Sequence, residues 1–239
     1  MKEITYNNYI STHFNNIHPN AEKEFDIYHR YFRKNYLVHL PKDKHAKIAD
    51  IGCGMGHFLY FLEKEGYKNY IGIDISEENI NFCRNHNFNV KLYDVFNFLT
   101  DNTEPFQAII ANDIIEHFNK EEIVKLFDLI KNNLSEDGIF IVKVPNASNP
   151  ITGSSSRYCD FTHEVNFTEE SLSQILKVCG YKTVNIYPQD IYVIYSNPLN
   201  YIAKLIAWLS FLLFRLLFIL YGRKTTKIFT KDLIAVARK

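Results

Sequence analysis

The first group of residues with usable chemistry is Asp50-Ile51-Gly52-Cys53-Gly54-Met55-Gly56, with Ile73-Asp74-Ile75 about twenty residues on. Glycines let a backbone approach a ligand closely, a helix opening after them offers free N–H groups, and Asp74 is placed to grip a ribose diol. The spacing is G-x-G-x-G, and His57 stands where a dinucleotide site would carry its third glycine, so no pyrophosphate cradle is expected. A second group, Asp113, Glu116 and His117, has i, i+3, i+4 spacing, which predicts one helical face. The third is the polar run Arg157-Tyr158-Cys159-Asp160-Phe161-Thr162-His163. There Arg157 can clamp a phosphate or carboxylate, and His163 can take a hydroxyl proton near neutral pH, with Asp160 to orient it.

These residues need a scaffold, and the pattern supplies one. Apolar strand-like runs alternate with helical periodicity, which predicts an α/β domain with a parallel sheet covered on both faces. Strands are expected at Ile48–Ile51, Asn69–Ile73, Val90–Tyr93, Gln107–Ala111, Ile139–Val144, Thr183–Tyr187 and Asp232–Ala237. Helices are expected at Phe58–Glu65, from Ser76 to about His86, at Lys120–Leu134 and after the cap Thr168. Residues 1–45 read as an N-terminal helical cap, 46–239 as the main domain, and 190–228 as an apolar helical insertion before the last strand. Ligands of such sheets lie beyond the carboxyl ends of the strands, which is where all three polar groups fall.

Composition sets limits. Basic and acidic residues balance at 27 each, so bulk charge gives no support for a nucleic-acid partner. The four cysteines are scattered without a C-x-x-C pair, as expected of free thiols in a cytoplasmic protein. Residues 1–20 carry no apolar run of the kind a signal peptide has. No H-x-x-x-H, cysteine cluster or paired acidic loop suggests a metal, and none is expected.

The glycine turn with Asp74 resembles motif I of the class I S-adenosylmethionine (SAM) dependent methyltransferases. Tyr93-Asp94-Val95, the tract Phe106 to Phe118 and the tract Leu134 to Val142 are similar to further motifs of that family, in the same order. The resemblance implies a Rossmann-like seven-stranded methyltransferase sheet, SAM as cofactor and S-adenosylhomocysteine as product. The cofactor set it implies is Asp50, Gly52, Cys53, Gly54, Gly56, Asp74, Ile75, Asp94, Val95 and Asn112. Asp74 would hold the ribose hydroxyls and Asp94 the adenine amino group. The 157–163 run resembles one found in methyltransferases of bacterial capsule and surface-polysaccharide pathways, and the Glu116-His117 pair resembles one at the active-site edge of quinone-type enzymes. The reading that follows is O-methylation of a bacterial surface glycan or its precursor, lipid-linked or phosphate-bearing. His163, His117 and Asp160 are its catalytic candidates, and Arg157, Tyr158 and Asn146 its substrate contacts. A quinone or other lipid-soluble small molecule is the alternative acceptor, and a non-catalytic SAM-binding module the third reading.

One segment is foreign to such an enzyme. Leu205 to Tyr221 is apolar except for Ser210 and Arg215, with Lys204 before it and Arg223, Lys224 and Lys227 after it. A span would strand the last strand across the bilayer from its sheet and would cost about 2.5–3.5 kcal/mol for Arg215 at depth. The expectation is peripheral contact of 204–224 with the inner face of the plasma membrane. Packing in the core or in a homodimer interface is the other reading.

Overall fold

Seven strands among the described residues form one sheet. They are β1 (Ile48–Ile51), β2 (Tyr70–Asp74), β3 (Val90–Leu92), β4 (Phe106–Asn112), β5 (Leu134–Pro145), β6 (Thr183–Pro188) and β7 (Asp232–Arg238), in the order β3-β2-β1-β4-β5-β7-β6. The computed structural model describes residues 21–239. The first twenty residues of the expected cap, and the expectation that they form no signal peptide, lie outside the described residues. Strands β1 to β5 pair in parallel, and β7 runs antiparallel to both β5 and β6. Each expected strand is present to within a few residues; β5 starts earlier, at Leu134, where the β4–β5 register shifts.

Helices α1 (Ala21–Asn35), α2 (His57–Lys64), α3 (Glu77–Asn85), α4 (Val95–Asp101), α5 (Lys120–Asn133), α6 (Gly153–Tyr158), α7 (Glu169–Val178) and α8 (Pro198–Leu220) complete the fold. Successive side chains of a strand point to opposite faces, and both faces here are covered, so the central strands are apolar throughout. Ile109, Phe140 and Val142 pack with α5 and α7 on one face, whereas Ile110 and Ile141 pack with α1, α2 and α3 on the other. The helix starts are written locally. Asn119 and Glu122 form a capping box on α5, Thr168 and Ser171 do the same for α7, and Ser76 Oγ accepts from Asn79 N–H.

Gly56 shows how tightly the first turn is built. It sits at φ +77, and a Cβ there would lie 2.7 Å from the Phe88 ring and 3.0 Å from Cys83 Sγ. Both neighbours are buried and have little room to yield. Gly56→Ala is therefore expected to cost about 2–4 kcal/mol of stability, combining left-handed strain with overpacking, measured as a lower urea midpoint at unchanged slope. A midpoint shift within error would remove that packing argument.

α8 answers the question left open about the apolar segment in an unexpected way. It is longer than the sequence reading, 23 residues, and none of them is buried. Among the described residues it is the helix long and apolar enough, by length and composition, to cross a membrane.

Candidate active site

The chain leaves β1 toward β2 and β3, then returns across it to β4 and β5. The strand order thus reverses between β1 and β4, and a crevice opens at their carboxyl ends. A cavity of about 380 Å³ lies there. α1 closes one side of it with Tyr28 and Phe32, so the part of the expected cap that is described forms a wall of the site.

The glycine turn forms the floor. Gly52, Gly54 and Gly56 all have positive φ. A Cβ on Gly54 would meet nothing within 4 Å, because that position faces the open cavity. Asp74 at the end of β2 braces the turn, its Oδ2 accepting from Gly54 N–H at 2.9 Å and its Oδ1 from Ser76 N–H at 2.8 Å. Asp50 is buried at the cavity wall, and its Oδ1 has no hydrogen-bond partner. Burial, and then the neighbouring Asp74, push the Asp50 carboxyl well above the usual range. Burial raises Asp74 too, against the pull of the N–H groups of Ser76 and Gly54. A buried acid beside a half-buried one, both raised, favours a ligand that brings a cation and hydroxyl donors.

Most of the expected cofactor set lines this cavity: Asp50, Gly52, Cys53, Gly54, Asp74, Ile75, Asp94, Val95 and Asn112. Gly56 does not; it turns away to start α2. Asp94 also caps α4, accepting from Asn97 N–H at 3.0 Å, and Asn112 Oδ1 accepts from Tyr36 O–H at 2.5 Å.

The reactive end lies past β4. Asp113 takes a left-handed φ of 52, and Ile115–His117 is a single 3-10 turn. The expectation of a helix presenting Asp113, Glu116 and His117 on one face is therefore corrected. The left-handed residue reverses the chain before a helix can start, so Asp113 and His117 reach the cavity while Glu116 is buried beside it. His117 Nδ1 lies 2.7 Å from Thr162 Oγ1, which donates to Asp160 Oδ1 at 2.6 Å. The Thr162 proton is thus committed to Asp160, which leaves Thr162 Oγ1 open to accept from His117 Nδ1–H, and the imidazole also hydrogen-bonds the Asp113 backbone. Burial first, then His163, lower the pKa of His117 to about 4, so its imidazole is neutral at neutral pH.

Here the sequence reading needs further correction. Asp160 orients His117 through Thr162, because its Oδ1 is occupied by the Thr162 N–H and O–H. His163 stands behind His117, ring centroids 4.7 Å apart, with its Nδ1 donating to Ser156 C=O at 2.6 Å. Arg157 donates to the His163 carbonyl and stacks on Tyr158, whose ring is exposed outside the cavity. Asn146 is fully buried; its Nδ2 donates to the carbonyls of Ile228 and Thr230, and its Oδ1 accepts from Ser148 N–H. With both ends of its amide engaged by backbone, Asn146 does not contact an acceptor, and its expected substrate role is withdrawn.

One residue of the site escaped sequence reasoning. Lys143, on β5, lines the cavity and pairs with Asp113. Burial alone would favour its neutral form, but Asp113, Tyr31, Asp232 and Tyr36 outweigh that and hold the ammonium well above its ordinary range. A lone lysine in Ile139-Phe-Ile-Val-Lys-Val was the available signal. Glu116, which the sequence pairs with His117, lies beside the cavity; its buried Oε2 lacks a partner, and burial followed by Asp113 raises its carboxyl well above the usual range. Glu116, His117 and His163 bring a carboxylate oxygen and two imidazole nitrogens within 4.8 Å of one another.

Comparison with known proteins agrees with this geometry. A family model described as a methyltransferase domain matches residues 23–186. The chain belongs to that methyltransferase family. A SAM-dependent methyltransferase from Archaeoglobus fulgidus superposes with a TM-score of 0.67 at 21% identity, over 90% of this chain and 94% of that one. The rat mitochondrial ubiquinone biosynthesis O-methyltransferase is 30% identical over 86 residues, covering 32% of this chain and 25% of the rat protein. The methoxy mycolic acid synthase MmaA3 of Mycobacterium tuberculosis is 26% identical over 103 residues, 40% of this chain and 34% of that protein. The matched region thus spans a quarter to a third of the length of these curated relatives.

Proposed function

We propose that the protein is a SAM-dependent O-methyltransferase acting on a hydroxyl of a lipid-carried acceptor. One observation carries the reading: an oriented, neutral imidazole, His117, stands on the wall of the same cavity as the glycine turn and the acids Asp50 and Asp74. The residues fit the cofactor. The unpartnered Asp50 Oδ1 suits its ammonium, Asp74 its ribose hydroxyls, Asp94 with Val95 its adenine, and the open face of Gly54 leaves room for its backbone approach. When bound, SAM supplies a methyl already activated on a sulfonium.

The protein's own task is then to position a hydroxyl and handle its proton. Lys143 and Asp113 offer the acceptor a cation and a hydrogen-bond acceptor beside His117. A hydroxyl oxygen gaining a methyl becomes a very strong acid, so an imidazole whose pKa is about 4 suffices to take its proton. Glu116 and His163 lie close behind, with a carboxylate oxygen and an imidazole nitrogen within 4.8 Å of the His117 ring. No Lewis acid is needed for this chemistry, and we read the Glu116–His117–His163 trio as a proton-handling group.

For the acceptor, the two curated relatives named for ubiquinone and mycolic acid chemistry support a lipid-soluble molecule. A lipid-linked glycan precursor is the second reading. Tyr158 and Phe161, 80% and 87% exposed, favour it, since their rings are of the kind sugars stack on. A cytoplasmic protein working at the inner membrane face accommodates both. Methyl-labelled SAM incubated with the protein and a host extract, then fractionated, tests this. Label is expected in the lipid phase, and mild acid separates the two readings by releasing sugar from a lipid-linked glycan. Label confined to water-soluble small molecules or nucleic acid would overturn the proposal.

A further inference from the structure

Strand β6 runs parallel to β1–β5, so its last residue, Pro188, and the first of β7, Asp232, both lie at the carboxyl edge of the sheet. The loop between them carries α8, and α8 therefore emerges at the edge where the cavity opens. It is fixed at both ends. At its start Lys204 pairs with Asp190 at 2.6 Å, and the Asp190 backbone exchanges two hydrogen bonds with the Asn35 side chain, at the end of α1. Near its end Phe214 and Phe218 pack on the Phe229 ring, and Phe229 C=O accepts from Asn149 in the loop after β5. α8 is thus tied to α1, which walls the active site, and to the loop that follows β5.

Its inward side, Ala203, Ala207, Phe214 and Phe218, is half-buried. At 100° per residue the opposite side gathers Leu205, Leu209, Leu212, Leu213, Leu216 and Leu220, all 47–72% exposed. Between the two sides lies a flank with Lys204, Trp208 and Arg215. Tyr201 and Tyr221 mark the helix ends, and Arg223, Lys224 and Lys227 follow. No acidic residue occurs from 198 to 227. An apolar face, a cationic flank and aromatic residues at the apolar–polar boundary match the layers of a bilayer surface and not a dry protein partner.

We infer that α8 is an in-plane membrane anchor. Its leucine face sits among the outer acyl chains of an anionic leaflet, its basic flank lies at the lipid phosphates, and the cavity mouth is held at that surface. The helix is about 34 Å long, enough to span. Its two tethers to one edge of one domain instead hold it flat. The docking stands independently of the methyl-transfer reading, which it deepens by putting a lipid-carried acceptor within reach.

Vesicle flotation of the full chain tests the inference, using phosphatidylcholine alone or mixed with phosphatidylglycerol. Binding is expected with the anionic mixture, at least tenfold weaker for Leu209→Glu/Leu212→Glu/Leu216→Glu. Arg215→Glu/Arg223→Glu/Lys224→Glu should lose the preference for phosphatidylglycerol. Both triple variants change exposed positions only, and retained SAM binding checks that each is folded. Trp208 is the chain's only tryptophan, so its fluorescence reports on this helix alone. Bromine near the headgroup end of the acyl chains should quench it best. Strongest quenching by bromine at the chain ends would mean a spanning helix and would overturn the in-plane geometry. Failure to float, with lipid-free dimers that the leucine variant dissociates, would assign the face to a second copy; failure to float without dimers would equally refute the anchor. Loss of methyl transfer with flotation intact would refute the enzymatic reading alone.

Discussion

Asp74→Asn is expected to weaken SAM binding by about 10²–10⁴-fold while leaving the apo protein at least as stable as the parent. Two hydrogen bonds from a ribose diol to a charged acceptor are worth roughly 1.5–3 kcal/mol each, which sets the range. Most substitutions that damage binding this much also damage the fold, and here the two effects separate for an electrostatic reason. Burial raises the Asp74 pKa. A raised carboxyl binds protons more readily folded than unfolded, so stability is lost as pH rises through the window between the unfolded and folded pKa values. The neutral amide escapes that loss. It gives up one of the two backbone N–H bonds that brace the turn, which offsets part of the gain. Titration calorimetry with urea denaturation at two pH values measures both quantities. Binding reduced less than tenfold would remove Asp74 from the diol.

How much of this could be read from the sequence depends on how local the cause is. The seven strands and the switch point follow from apolar runs and a glycine turn, signals confined to a few adjacent residues. Helix α4 was missed because Asp94 serves two ends at once: it closes a strand tract and caps the next helix through Asn97 N–H. The turn at Asp113 was misread because a left-handed φ at a non-glycine residue leaves no mark in periodicity. The 157–163 run was recognised as important, yet its internal wiring was not legible. Asp160 and His163 are three residues apart, but the hydrogen bonds send Asp160 through Thr162 to His117, forty-odd positions upstream. Likewise Asn146 is held by carbonyls of the segment before β7. Spacing along a loop limits what its residues can reach; the elements it packs against decide what they do.

That wiring makes the second large prediction sharp. His117→Ala should lower kcat by roughly 10²–10⁴-fold with SAM affinity nearly unchanged. His163→Ala should cost less, since His163 meets the ring of His117 from behind. Thr162→Val cuts the link from His117 to Asp160 and frees the Nδ1 tautomer, so it should reduce kcat about tenfold without moving the acceptor KM. The pH profile adds a signature that mere damage would not produce. A folded pKa of about 4 for His117 lies below the usual 6.5, so the unfolded chain takes up the proton first. The corresponding stability is fully present above about 6.5 and declines as pH falls toward about 4. The difference, about 3 kcal/mol between the two limits, should be absent from His117→Ala when its acid denaturation is compared with the parent's. In turnover, the parent should keep its rate down to about pH 4.5 instead of losing it near 6.5. A base in the ordinary histidine range would show as a rate limb near 6.5, and a larger loss in His163→Ala than in His117→Ala would transfer the role to His163.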